Sequence, residues 1–133
     1  MSAPIIVCID DEPSLCRALR LLLARTGARV ETFTHPEEAL VFLRHNDVAL
    51  VLCDYRLPSM HGLAVLARLE KPVPFVILSG DLDIEHHTAS NPGVTAVLGK
   101  PFEASELLAL VERILPPRAD GDGDPSGTAR GRR

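Results

Sequence analysis

The chain has 133 residues, enough for one domain with a proper core and too few for two. Its net charge of −4 argues against a nucleic-acid surface, and no apolar run reaches the length of a membrane span, so a cytoplasmic protein without direct DNA or membrane binding is expected. Aromatic residues make up only 4% of the sequence and Trp is absent, so packing must rest on Leu, Val, Ile and Ala.

In chain order, Ile5 to Ile9 is a short, uniformly apolar run that ends at Asp10-Asp11. Such β-branched-rich runs, bounded by turn residues, read as parallel strands buried on both faces. Leu15, Ala18, Leu19, Leu22 and Leu23 then recur at helical spacing, and Gly27 supplies a stop. Arg29 to Phe33 alternates as a half-buried strand. Thr34-His35-Pro36-Glu37 reads as a capping box with proline in the first turn, opening a helix that buries Ala39, Leu40 and Leu43.

Val48 to Cys53 is the predicted central strand, closed by Asp54. Gly62 opens a helix with Leu63, Leu66 and Leu69 on one face. Pro72 and Pro74 bracket the entry to the strand Phe75 to Leu78, which ends at Ser79-Gly80. Asp81 to Ser90 is a polar segment with a weak helical pattern, ended by Asn91-Pro92-Gly93. Thr95 to Leu98 is the last strand, leading into Gly99-Lys100-Pro101-Phe102. Ala104 to Leu115 is the last helix, with Leu107, Val111 and Ile114 as its inward stripe. Strand and helix patterns thus alternate five times, the signature of a doubly wound α/β domain over residues 1–116. Residues 117–133 collapse to Gly, Asp, Pro, Ser and Arg and are expected to be a disordered tail with no room for a helix-turn-helix. Cys8, Cys16 and Cys53 are odd in number and lack metal-type spacing, so they read as structural thiols.

In an open parallel sheet the ligand site lies at the carboxyl ends of the strands. Asp10, Asp11, Asp54 and Lys100 would therefore meet in one small cleft, with Ser79 at the end of the neighbouring strand. Carboxylates supply oxygen ligands for a hard cation, and an ammonium can hold a phosphoryl oxygen. Singly, each residue has an ordinary role: Asp10 as a helix cap, Asp54 as a loop carboxylate, Lys100 as a solvated cation, Ser79 as a turn residue. Their joint placement at four strand ends points to a phosphoacceptor cleft.

Four segments in order, Ile9-Asp10-Asp11, Cys53-Asp54-Tyr55-Arg56-Leu57-Pro58, Leu78-Ser79-Gly80 and Gly99-Lys100-Pro101-Phe102, give the chain a resemblance to the response-regulator receiver domain of two-component signalling, from about Ile5 to Leu115. The resemblance implies a flavodoxin-like, five-stranded parallel sheet of order 2-1-3-4-5 with five helices. It implies that Asp54 is the phosphoacceptor, and that Mg²⁺ is held by Asp11 and Asp54 directly, by Asp10 through water and by the backbone carbonyl of Arg56. Lys100 would pair with a phosphoryl oxygen, Pro101 would follow a cis peptide bond, and the Ser79 hydroxyl would act as the switch. The implied function is a stand-alone receiver that takes a phosphoryl group from a histidine kinase or histidine phosphotransfer protein. It would then signal by binding an output protein, or serve as a phosphate sink.

One position departs from the family. Receivers commonly carry an aromatic residue three places before the lysine, where this chain has Val97. A single buried rotamer is expected there, and a degenerate receiver working as a phosphorylation-independent interaction module is the alternative reading. Leu21, beside Arg17 and Arg20, is a candidate kinase contact. Leu108, Leu110 and Leu115, expected to be exposed on the last helix, would permit a homodimer or an output contact through the face of the fourth helix, fifth strand and fifth helix. An aspartyl phosphatase would need a second acid two residues after the nucleophile, where Arg56 stands, so the chain is expected to catalyse only its own phosphorylation and dephosphorylation. A flavodoxin-type cofactor site fails on charge, because Asp10-Asp11-Glu12 would repel the flavin phosphate.

Overall fold

A computed structural model describes residues 3–80, 88 and 90–115. The strands are β1 (Ile5–Ile9), β2 (Arg29–Phe33), β3 (Leu50–Asp54), β4 (Phe75–Ser79) and β5 (Ala96–Gly99). They form one parallel sheet in the order β2-β1-β3-β4-β5, as the resemblance implied. The helices among the described residues are α1 (Pro13–Leu23), α2 (Pro36–His45), α3 (Gly62–Ala67) and α4 (Ala104–Ile114). The polar segment expected as a further helix, Asp81 to Ser90, lies outside the described residues apart from Thr88 and Ser90, and so does the expected tail.

Successive strand residues point to opposite faces, and both faces are covered. Ile6, Cys8, Leu50, Leu52, Val76 and Leu78 pack under Leu19 and Leu23 of α1 and Leu107 and Val111 of α4. Val7, Ile9, Val51, Cys53, Phe75 and Ile77 pack under Ala39 and Leu43 of α2 and Val65 of α3. The cysteines are free and buried, in keeping with a role as small hydrophobes. Burial pushes the Cys8 and Cys53 thiols well above the usual range.

Several helix details differ from the sequence reading. The capping box at Thr34 does not form: His35 is the N-cap of α2, and the Thr34 hydroxyl lies 3.2 Å from His35 Nδ1. Pro36 is the cause. The residue before a proline is driven to extended backbone, so His35 (φ −121°, ψ 121°) cannot be the first helical residue that a Thr34 cap requires. A capping box does form on α4, where the Glu103 N–H donates to Glu106 Oε1 at 2.8 Å. On α1 the inward residues are Cys16, Leu19 and Leu23, and Ala18 is exposed. On α3, Val65 is buried while Leu63 and Leu66 are partly exposed, and the expected Leu69 lies two residues beyond the helix end, also partly exposed. On α4 the stripe is Leu107, Leu110 and Val111, with Ile114 at its edge.

The expected exposed patch on the last helix is therefore absent: Leu110 is buried, and Leu108 and Leu115 pack against the core beneath it. Leu21 on α1 is the outlier, 75% exposed. Gly27 adopts φ 85°, the left-handed conformation that ends the short 3₁₀ turn after α1.

Candidate functional site

The strand register decides which side chains meet. Ile9 pairs with Cys53, Asp54 with Leu78, and Ser79 with Gly99, so the carboxyl ends of β1, β3, β4 and β5 are level. Asp10 follows β1, Asp54 closes β3, Ser79 closes β4 and Lys100 follows β5. Asp10 is 1% exposed and its two oxygens have separate duties. Oδ1 accepts the Glu12 backbone N–H at 3.0 Å, turning the chain into α1, and Oδ2 accepts from Lys100 Nζ at 3.1 Å. Lys100 Nζ also donates to Asp54 Oδ1 at 3.1 Å. The lysine is fixed from behind by its backbone N–H, which donates to the Ser79 carbonyl at 2.7 Å; its peptide bond to Pro101 is cis.

Asp11 is exposed at the rim, yet carboxylate oxygens of Asp10, Asp11 and Asp54 all lie within 4.8 Å of one another. Burial lifts the Asp54 pKa. The Lys100 ammonium opposes that lift, and the charges of Asp10 and Asp11 add to it. Burial alone would lower the Lys100 pKa, but the hydrogen bonds and charges of Asp10 and Asp54 outweigh it and raise it. Among the described residues the Lys100 ammonium pairs with two of the three carboxylates, so the carboxylate charge of this group exceeds that of the ammonium. An all-oxygen donor set with excess negative charge suits a hard divalent cation of the Mg²⁺ type.

Ser79 is buried one residue beyond the partner of Asp54. Gly80 follows it in an open position, where an added Cβ would come no nearer than 4.0 Å to Lys100. The Arg56 side chain is exposed, and its backbone forms an isolated antiparallel bridge with His61. Glu12 is the exposed N-cap of α1, so its part is local to the helix start. Val97 is only half-buried, against the α2–α3 side of the sheet, because β5 is an edge strand. The burial expected there is therefore only partial.

Two features escaped the sequence reading. Gly62 packs so tightly on the cleft that a Cβ there would meet the Asp54 carbonyl oxygen at 3.0 Å and Tyr55 Cα at 3.2 Å. The Tyr55 ring stacks on the His61 imidazole, with centroids 5.2 Å apart and planes 21° from parallel. Neither contact leaves a periodicity signal, since both are made across the irregular loop that joins β3 to α3.

The profile of the response regulator receiver domain matches residues 6–112, which takes in all five strands but for Ile5 at the start of β1, and the whole acidic cleft. The chain belongs to the response regulator receiver domain family. Among curated relatives, this receiver is 32% identical over 119 residues to the DNA-binding transcriptional regulator NtrC of Salmonella typhimurium, covering 86% of this chain and 25% of that one. It is 31% identical over 116 residues to the C4-dicarboxylate transport transcriptional regulatory protein DctD of Rhizobium meliloti, covering 84% and 25%. The receiver thus spans about a quarter of the length of these regulators. Among solved structures, the signal receiver domain of an HD domain-containing protein from Pseudomonas fluorescens superposes with a TM-score of 0.78 at 28% identity, covering 86% of this chain and 88% of that one. The chemotaxis response regulator CheY4 of Vibrio cholerae shares the fold, with a TM-score of 0.76 at 24% identity over 86% and 100% of the two chains. No helix among the described residues is long and apolar enough to cross a membrane.

Proposed function

We propose that this receiver accepts a phosphoryl group on Asp54 from a histidine kinase or histidine phosphotransfer protein and passes the signal on by protein contact. The observation that carries this reading is the Lys100 ammonium held at 3.1 Å from both Asp10 and Asp54, beside a third carboxylate within 4.8 Å. A carboxylate oxygen of Asp54 attacks phosphorus, an O–P bond forms, and the donor's N–P or O–P bond breaks with its electron pair leaving on the donor. Two anions must approach for this to happen, so their repulsion has to be offset. Asp10, Asp11, Asp54 and the Arg56 backbone carbonyl would hold Mg²⁺, which when bound supplies that compensating charge. Lys100 then exchanges its carboxylate partners for a phosphoryl oxygen, and the Ser79 hydroxyl donates to another. The protein turns over only its own phosphoryl group. DNA binding, where a relative has it, is a property of that longer protein.

The test is the intact mass of the protein after incubation with acetyl phosphate, with and without Mg²⁺. The reading expects one phosphoryl adduct that requires Mg²⁺ and is missing from Asp54→Asn. No adduct, together with no binding of beryllofluoride, would leave a phosphorylation-independent interaction module as the better account.

A further inference from the structure

The loop that leaves the phosphoacceptor is closed on itself in three ways. The Tyr55 N–H donates to the Leu78 carbonyl at 2.9 Å, which ties the start of the loop to β4. The Gly62 N–H donates to the Tyr55 carbonyl at 2.7 Å, which builds the Arg56–His61 bridge. The Tyr55 ring lies on the His61 imidazole. The two hydrogen bonds are backbone bonds that many sequences could make. The side chains add Leu57, buried in the core, Tyr55 and Met60, packed against it, and the stack, and His61 is otherwise an exposed N-cap without a side-chain cap bond.

Arg56 sits between the two stacked residues in this closed loop. We infer that His61 is a positioning residue for the metal, its ring bracing Tyr55 so that the loop holds the Arg56 carbonyl in one position relative to Asp54. This rests on the phosphoacceptor reading above, in which that carbonyl is a ligand. Stacked rings are worth a fraction of the loop's ordering cost, and that cost is otherwise met by the ion. Removing the stack shifts the cost onto binding: affinity falls while the carboxylates stay in place.

The sequence supplies its own reporter, because Tyr55 is the only tyrosine and there is no tryptophan. Mg²⁺ is titrated into the wild type, His61→Ala, His61→Phe and Asp54→Asn, following Tyr55 emission and, independently, heat by calorimetry. Urea midpoints are measured in chelator. The wild type binds Mg²⁺ and Asp54→Asn binds it far more weakly. His61→Ala binds it roughly threefold to tenfold more weakly, with Tyr55 emission altered before any metal is added, and His61→Phe restores both. A His61→Ala protein with lower urea stability and unchanged Mg²⁺ affinity would overturn the inference and leave the stack a structural contact. Failure of His61→Phe to restore affinity would overturn it too. Wild-type protein that binds no Mg²⁺ would instead remove the phosphoacceptor reading on which the inference stands.

Discussion

Gly62→Ala tests how closely the loop and the cleft are fitted. An added Cβ would meet Ile77 Cδ1 at 2.9 Å, the Asp54 carbonyl oxygen at 3.0 Å and Tyr55 Cα at 3.2 Å. The Ile77 methyl is the end of a side chain and can swing away. The other two atoms are backbone, held by the β3–β4 ladder and by the Tyr55 N–H bond to Leu78, so they cannot. Alanine brings at most about 1 kcal/mol of helix preference, and less at the first position of a six-residue helix. Overpacking a rigid contact costs about 1–3 kcal/mol. The net loss is about 1–2 kcal/mol, or a fall in Tm of about 4–8 °C for a domain of this size. Thermal and urea unfolding followed by circular dichroism measure it. Gly80→Ala is the control: among the described residues its Cβ would come no nearer than 4.0 Å to Lys100, so its Tm should stay within about 2 °C of wild type. A Gly62→Ala protein as stable as wild type would refute the reasoning, since backbone that yields so readily could not hold the Asp54 geometry either.

Asp54→Asn should be more stable than wild type in chelator at pH 7.5. Burial raises the Asp54 pKa and the neighbouring acids add to the rise, so the ionised carboxylate costs more in the folded chain than in the unfolded one. That cost is full above the folded pKa and fades as pH falls toward the unfolded value, so the variant's advantage should shrink in urea titrations at pH 4; an advantage that grew there would contradict the assignment. Lys100→Met should bind Mg²⁺ about tenfold more tightly, ~1.4 kcal/mol, because it removes the ammonium that competes for Asp10 and Asp54. The same variant should lose the phosphoryl adduct, and weaker Mg²⁺ binding by calorimetry would count against the competition. Cys8 and Cys53 are buried with thiol pKa values raised mainly by that burial, and Cys16 is buried with its Sγ donating to the Asp10 carbonyl at 3.3 Å. All three thiols should be silent to a thiol reagent in the folded protein at pH 8 and react together in denaturant; one fast thiol in the native state would show that the sheet opens locally.

The sheet was readable because β1, β3, β4 and β5 are short apolar runs stopped by Asp10, Asp54, Ser79 and Lys100, while β2 shows the alternation of a half-buried edge strand. Asp10, Asp54 and Lys100 mark the strand ends and become each other's partners, so fold and site were legible from the same residues. Helix faces were less legible. Ala18 and Cys16 compete for the inward side of α1, and only packing decides that the thiol wins. Val65 takes the buried side of α3 because the helix lasts only six residues, which is too short for a leucine stripe to set its rotation. Leu110 stands three residues after Leu107 and four before Ile114, so helical spacing itself puts it on the inward stripe, and the exposed patch expected there is absent. The Thr34 box failed for a local reason that the sequence did contain, namely Pro36 and its restriction on His35. The Tyr55–His61 stack could not be read at all, since it depends on the loop folding back at the Arg56–His61 bridge.

The most direct test of the central claim is to locate the phosphoryl group. Protein treated with acetyl phosphate and Mg²⁺ is reduced with borohydride, which converts an aspartyl phosphate to homoserine, and is then mapped by peptide mass spectrometry. Homoserine at position 54, absent without Mg²⁺ and absent when Lys100 is replaced by methionine, is the predicted result. Homoserine at Asp10 or Asp11, or no reduction at position 54 in protein that carries the adduct, would contradict the assignment of Asp54 as the acceptor.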